Sequence, residues 1–125
     1  MQIGKSATVS TIVSEKNTAK AVGSGSLEVF ATPMMIALME QAACECLAES
    51  LEPGQTSVGT VVNVGHTEAS PIGAIITATA TIVEINVREI SFVVSASCGE
   101  NSIGKGTHTR VIINTEKFIS KVYGK

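Results

Sequence analysis

Thr32, Glu40 and His66 supply a hydroxyl, a carboxylate and an imidazole to segments that otherwise read as apolar core. Thr32 stands directly before Pro33, Glu40 follows it by eight residues, and His66 lies downstream in a Gly-His-Thr stretch. A carboxylate can attack a carbonyl carbon or take a proton from water, and an imidazole can carry that proton. A hydroxyl can orient the reacting groups by hydrogen bonding. Burying any of the three among apolar neighbours is costly unless it is partnered or used. The chain contains no aspartate, so carboxylate chemistry falls to one of its eleven glutamates.

Each residue has a second reading. On a helix Glu40 has Ile36, Ala37, Ala43 and Cys44 three and four positions away, whereas the polar stripe runs through Gln41, Glu45 and Glu49. It is either a desolvated, usable carboxylate or a stripe-edge glutamate whose head reaches water. His66 continues an apolar strand face with Val58, Val62 and Val64, as a proton carrier or as a core histidine held by a backbone carbonyl. Thr32 before Pro33 suits a helix N-cap. Gly59 is a site of close ligand approach, its amide aimed at an oxyanion, or a β-bulge. Arg110 shares strand register with His108, Gly104 and Gly106, and anchors either structure or an anionic ligand. Lys117, Lys121 and Lys125 recur every four residues as a solvated face or a phosphate contact.

The elements that must position these groups follow from periodicity. Residues 5–13 alternate and predict a first strand, with Ala7, Val9, Thr11 and Val13 on one face. Residues 14–28 form a long polar connection of the kind that often serves as a lid. A largely apolar helix starts at Thr32-Pro33 and stops near Pro53-Gly54. Four alternating stretches follow, at 57–67, 74–87, 90–98 and 103–114, and their short connections predict an antiparallel four-strand meander. The fold class is α+β: a curved antiparallel sheet wrapped around one central helix.

Composition narrows the function. The 125 residues suit a single domain, 1–125, with an aliphatic core, because 44% are hydrophobic, 3% aromatic and none is Trp. A net charge of −2 leaves no basic footprint for nucleic acid. No apolar run nears the ~20 residues of a membrane span. Residues 1–11 lack the apolar stretch of a secretory signal, and three cysteines make no disulfide framework, so a cytoplasmic location is expected. Two histidines without paired ligand spacing predict no metal site. There is no Gly-x-Ser-x-Gly elbow, Walker loop or dinucleotide fingerprint.

The stretches VFATPMMIALMEQAA, LEPGQTSVGTVVNVGHTEASPIG and IGKGTHTRVIINTEKF resemble the fluoroacetyl-CoA thioesterase type of hotdog protein, over roughly residues 27–122. The resemblance implies a hotdog fold and hydrolysis of an acyl-CoA to free acid and CoA, in a homodimer with active sites at the subunit interface. It implies no cofactor beyond the coenzyme A of the substrate. By position, Thr32, Glu40 and His66 match the catalytic threonine, glutamate and histidine. Gly59 matches a glycine whose amide faces the thioester, and Arg110 an arginine of the last strand. Residues 14–28 lack the bulky aromatics of the fluoro-selective enzyme, with Gly23 and Ser26 where bulk would stand. The expected substrate is therefore a small or short-chain acyl-CoA. The alternatives are a non-catalytic acyl-CoA binding protein and a hydratase, the latter disfavoured because its usual Asp/His pair needs an aspartate.

Overall fold

A computed structural model describes residues 1–124. Strand β1 (Ser6–Ile12) leads through a short helix α1 (Ala19–Val22) to the long helix α2 (Thr32–Leu47), which tightens into a 3-10 turn at Ala48–Ser50. Strands β2 (Gln55–His66), β3 (Ile75–Asn86), β4 (Glu89–Cys98) and β5 (Asn101–Asn114) follow, and helix α3 (Thr115–Tyr123) closes the described chain. Lys125 of the lysine series lies outside the described residues.

The sheet is antiparallel, in the order β1-β3-β4-β5-β2. This corrects the four-strand meander. Strands β3, β4 and β5 do form hairpins, but β2 pairs with β5, and β1 takes the edge of β3 that a meander would give to β2. The connection between β2 and β3 is free to cross because it is held elsewhere. Pro71 bridges Val29, and Phe30 N–H donates to the Ser70 carbonyl at 2.9 Å.

Helix α2 lies against one sheet face because its apolar residues cover most of its circumference. Met35, Leu38, Met39, Ala42, Ala43, Cys46 and Leu47 are buried. They pack with Ile76, Ala78, Ala80 and Ile82 of β3 and Ile90, Phe92, Val94 and Ala96 of β4. Alternation sends Thr77, Thr79 and Thr81 to the other face, where their hydroxyls pair with Ser10, Thr8 and Ser6 of β1. Each fully buried large aliphatic side chain contributes about 1.5–3 kcal/mol, which is how an aliphatic core with few aromatics holds a single domain together.

Two local features set the site. A β-bulge at Thr60 interrupts the β2–β5 register, since Gly59 faces Arg110 and Val61 already faces Thr109. The extra residue reverses the alternation, so Ser57 and Gly59 before it share the helix-facing side with Val62, Val64 and His66 after it. Val58 pairs with Val111 on the opposite side, which corrects its placement with His66. Gly106 allows β5 to lie close to β2, because a Cβ there would collide with the Asn63 carbonyl oxygen.

Candidate active site

The structure divides the expected residues into two groups. Thr32 and His66 meet: Thr32 Oγ1 lies 2.7 Å from His66 Nδ1. The N-cap is Ala31, with no side-chain cap bond, so Thr32 is the first helical residue and its hydroxyl is free to reach the end of β2. The capping role is thereby corrected, since a threonine already inside the helix no longer aims its hydroxyl at the free amides. Val29, Phe30, Ala19, Ser24 and Ala69 help line a recess of about 270 Å³ around this pair. His66 Nε2 is buried and has no hydrogen-bond partner among the described residues.

Glu40 lies elsewhere. Eight residues along a helix correspond to about 12 Å of axial rise, so Glu40 cannot join Thr32 and His66 within one chain. Its carboxylate instead takes a hydrogen bond from Arg110 Nη1 at 2.9 Å. Arg110 is 6% exposed. It also donates through Nε to Ser57 Oγ at 2.9 Å and through Nη2 to the Ser57 carbonyl at 3.1 Å. A nearly buried guanidinium is tolerable only with this density of acceptors.

Gly59 runs beneath the carboxylate. A Cβ at this position would stand 2.6 Å from Glu40 Oε2, and 3.2 Å from both Arg110 Nη1 and His108 Cε1. The bulge reading thus holds, one residue on at Thr60, and the group that lies close to Gly59 in the structure is the Glu40 carboxylate. The open groove at this end, bordered by Val9, Ala37, Gln41 and Cys44, measures about 510 Å³.

His108 and Ser57 complete the cluster and were not among the expected site residues. The signal for His108 was present: on β5 it alternates in phase with Gly104, Gly106 and Arg110, placing two polar side chains on the buried face. Ser57 carried no such signal, because the bulge that turns it inward has no sequence marker stronger than Gly59. Cys44 is exposed, whereas Cys46 is buried and Cys98 half-buried. All three thiols are free, and among the described residues no three potential ligands gather as a metal site requires.

An antiparallel sheet packed on one long helix is the architecture of the hotdog-fold thioesterases. The model of the fluoroacetyl-CoA-specific thioesterase family matches residues 13–116. Fluoroacetyl-CoA thioesterase of Streptantibioticus cattleyicolor is 47% identical over 98 residues, which is 78% of this chain and 70% of that protein. The solved structure of the fluoroacetyl-CoA thioesterase FlK superposes with a TM-score of 0.93 at 39% identity, covering 100% of this chain and 97% of that one. A phenylalanine-to-alanine mutant of FlK, in complex with fluoroacetate and CoA, gives a TM-score of 0.90 at 39% identity, over 94% of this chain and 99% of that one. The chain belongs to the fluoroacetyl-CoA-specific thioesterase family.

Proposed function

We propose that the protein hydrolyses small or short-chain acyl-CoA thioesters at composite sites, each built from Glu40 of one copy and Thr32 and His66 of another. The observation that carries this is the division of the site. A set that cannot converge within one chain converges if edge strand β2 pairs with its own copy. β2 is twelve residues long and lies at the end of the sheet, with Val61 51% and Val62 40% exposed. An open edge of this length favours strand pairing across a two-fold axis. With the axis at Asn63, Val62 faces the partner's Val64 and Val61 the partner's Gly65. The bulge at Thr60 then sets Gly59, with Glu40 above it, opposite the partner's His66. The bulge keeps inward-facing residues opposite inward-facing ones.

In this arrangement the thioester carbonyl lies by the Gly59 backbone. Glu40 attacks the carbonyl carbon or removes a proton from the attacking water, and His66 protonates the departing CoA sulfur. Thr32 orients His66. Small residues around the recess, including Ala19, Ser24 and Ala69, suit a short acyl chain. Coenzyme A enters only as part of the substrate, and three free thiols suit a reducing, cytoplasmic setting.

The test is hydrolysis of acetyl-, propionyl-, butyryl- and fluoroacetyl-CoA by the wild type and by Glu40→Ala. No turnover by the wild type would point to a non-catalytic acyl-CoA binding protein, and turnover that survives in the variant would remove Glu40 from the chemistry. Single turnover in oxygen-18 water separates the two roles of Glu40, since label retained in its carboxylate marks the covalent route.

The 2.7 Å Thr32–His66 contact favours a second assignment. Here Thr32 Oγ attacks the thioester as His66 takes its proton, and His66 returns that proton to the CoA sulfur. Water activated by Glu40 then frees the acid from the threonine ester. Trapping an acylated Thr32 peptide would select this route.

A further inference from the structure

His108 is a buried titratable group to which the proposed reaction gives no task. It is 1% exposed, and its ring stacks on Phe92 with centroids 6.0 Å apart and planes at 26°. An imidazole in apolar surroundings is costly unless its nitrogens are satisfied, and here both have partners. Nδ1 lies 2.7 Å from the Val61 carbonyl oxygen, which can only accept, so Nδ1 carries the proton. Nε2 lies 3.3 Å from Arg110 Nη1, which can only donate, so Nε2 offers its lone pair. The neutral Nδ1–H tautomer is therefore specified from both sides. A proton on Nε2 would set a donor against the donor Arg110 Nη1.

The two partners lead to the two halves of the Glu40 end of the site. Val61 is the residue at which the ladder resumes after the bulge, so the hydrogen bond from His108 holds that bulge, and with it Gly59, in place. Arg110 Nη1 is shared between His108 Nε2 at 3.3 Å and Glu40 Oε2 at 2.9 Å. Glu40 Oε2 stands 3.9 Å from His108 Nε2, too far for a hydrogen bond, so the histidine acts on the carboxylate through the arginine.

We propose that His108 is a positioning residue: one ring nitrogen locks the Gly59–Val61 bulge while the other steers Arg110 onto Glu40, fixing backbone and carboxylate relative to the same thioester. The inference rests on the reading of Glu40 as the reacting carboxylate.

Substitutions separate the two contacts. Asn places an N–H near the position of Nδ1 and keeps the Val61 bond. Gln can place an oxygen near Nε2 and keep the Arg110 contact. Phe fills the space and retains the stacking with neither bond. Release of CoA thiol from acetyl- and butyryl-CoA gives kcat and KM for the wild type, His108→Phe, His108→Asn, His108→Gln and Glu40→Ala. Urea unfolding and light scattering on the same samples report folding and assembly. Misplacing reacting groups by about 1 Å costs on the order of a hundredfold, so His108→Phe should lose about 10–100-fold in kcat with KM within about threefold. Asn and Gln should each recover part of that loss. In the wild type, nitrogen-15 NMR of labelled histidine should show His108 protonated at Nδ1 and bare at Nε2 at neutral pH.

Wild-type kcat in His108→Phe, with Glu40→Ala inactive, overturns the inference alone. So do Asn and Gln variants that fold yet work no better than Phe, a rise in KM that accounts for the whole loss, or a proton on Nε2. If the Phe variant does not fold, the Asn and Gln variants and the tautomer decide the matter. Full turnover by Glu40→Ala overturns the active-site reading and this inference together.

Discussion

Alanine at Gly59 tests the close approach on which the site depends. The added Cβ would stand 2.6 Å from Glu40 Oε2, and ordinary contact begins near 3.4 Å, so the carboxylate must retreat by about 0.8 Å. Gly59 is not among the positive-φ glycines, so the backbone itself accepts alanine. Loss of unfolded-chain freedom stabilises the folded state by about 0.4–1 kcal/mol. Against this stands a weaker Glu40–Arg110 contact, and because Glu40 is 38% exposed, solvent screening holds that contribution to about 1 kcal/mol. The two terms nearly cancel, and net stability should change by less than about 1 kcal/mol. Activity has no such compensation. A displacement approaching 1 Å should lower kcat on the order of a hundredfold, equivalent to about 2.7 kcal/mol of barrier. Steady-state CoA release and urea unfolding, measured on one preparation, give both numbers. A stable variant with kcat within about threefold of wild type would refute the placement of Glu40 over Gly59.

Thr32→Ala should reduce kcat by at least about tenfold yet cost under about 1 kcal/mol in urea unfolding, because its hydroxyl serves His66 and does not cap the helix. A loss of about 1–2 kcal/mol with unchanged kcat would restore the capping role. Val61→Lys places a charge in the open edge of β2, where the side chain is 51% exposed. Light scattering should then report a monomer with little remaining thioesterase activity, and an active monomer would eliminate the composite site. Burial raises the Cys46 thiol above its ordinary pKa, against smaller lowering effects from Lys5 and a backbone hydrogen bond. A raised folded-state value means that the stability linked to the protonated thiol is full below the unfolded value, about 8.5, and fades as pH rises through the folded one. Urea unfolding at neutral and alkaline pH should therefore show a smaller alkaline loss in Cys46→Ala than in the wild type. Gly106→Ala should lose more than about 3 kcal/mol by the same measurement, because its Cβ would run into the Asn63 backbone and backbone cannot step aside.

Short-range periodicity was a good guide to the elements and a poor one to their partners. The apolar run from Met34 to Met39 specified a buried helix, and alternation in β3 assigned Ile76, Ala78, Ala80 and Ile82 to the core, all of them 0% exposed. These assignments depend only on which side of a helix or strand a residue faces, and a local repeat of about 3.6 or 2 residues encodes that. The absence of aspartate and the apolar residues flanking Glu40 on its helix were likewise legible in the chain, whereas the ion pair of Glu40 with Arg110 was not. Strand pairing was not. β2 joins β5 across the whole of β3 and β4, and nothing within β2 itself excludes the neighbour a meander would supply.

The same division runs through the site. By itself the sequence determined which chemical groups were available: the hydroxyl of Thr32, the carboxylate of Glu40 and the imidazole of His66 on largely apolar elements, with Gly59, and with His108 and Arg110 in phase on one strand. Only the tertiary structure decided how they are grouped. The helix separates Thr32 from Glu40 by more than two turns. The bulge at Thr60 turns Ser57 and Gly59 toward Arg110, and β5 brings His108 beneath them. The physical reason is range, since residue type and local period reside in the chain, whereas a bulge or a strand partner is selected by contacts between segments far apart in sequence.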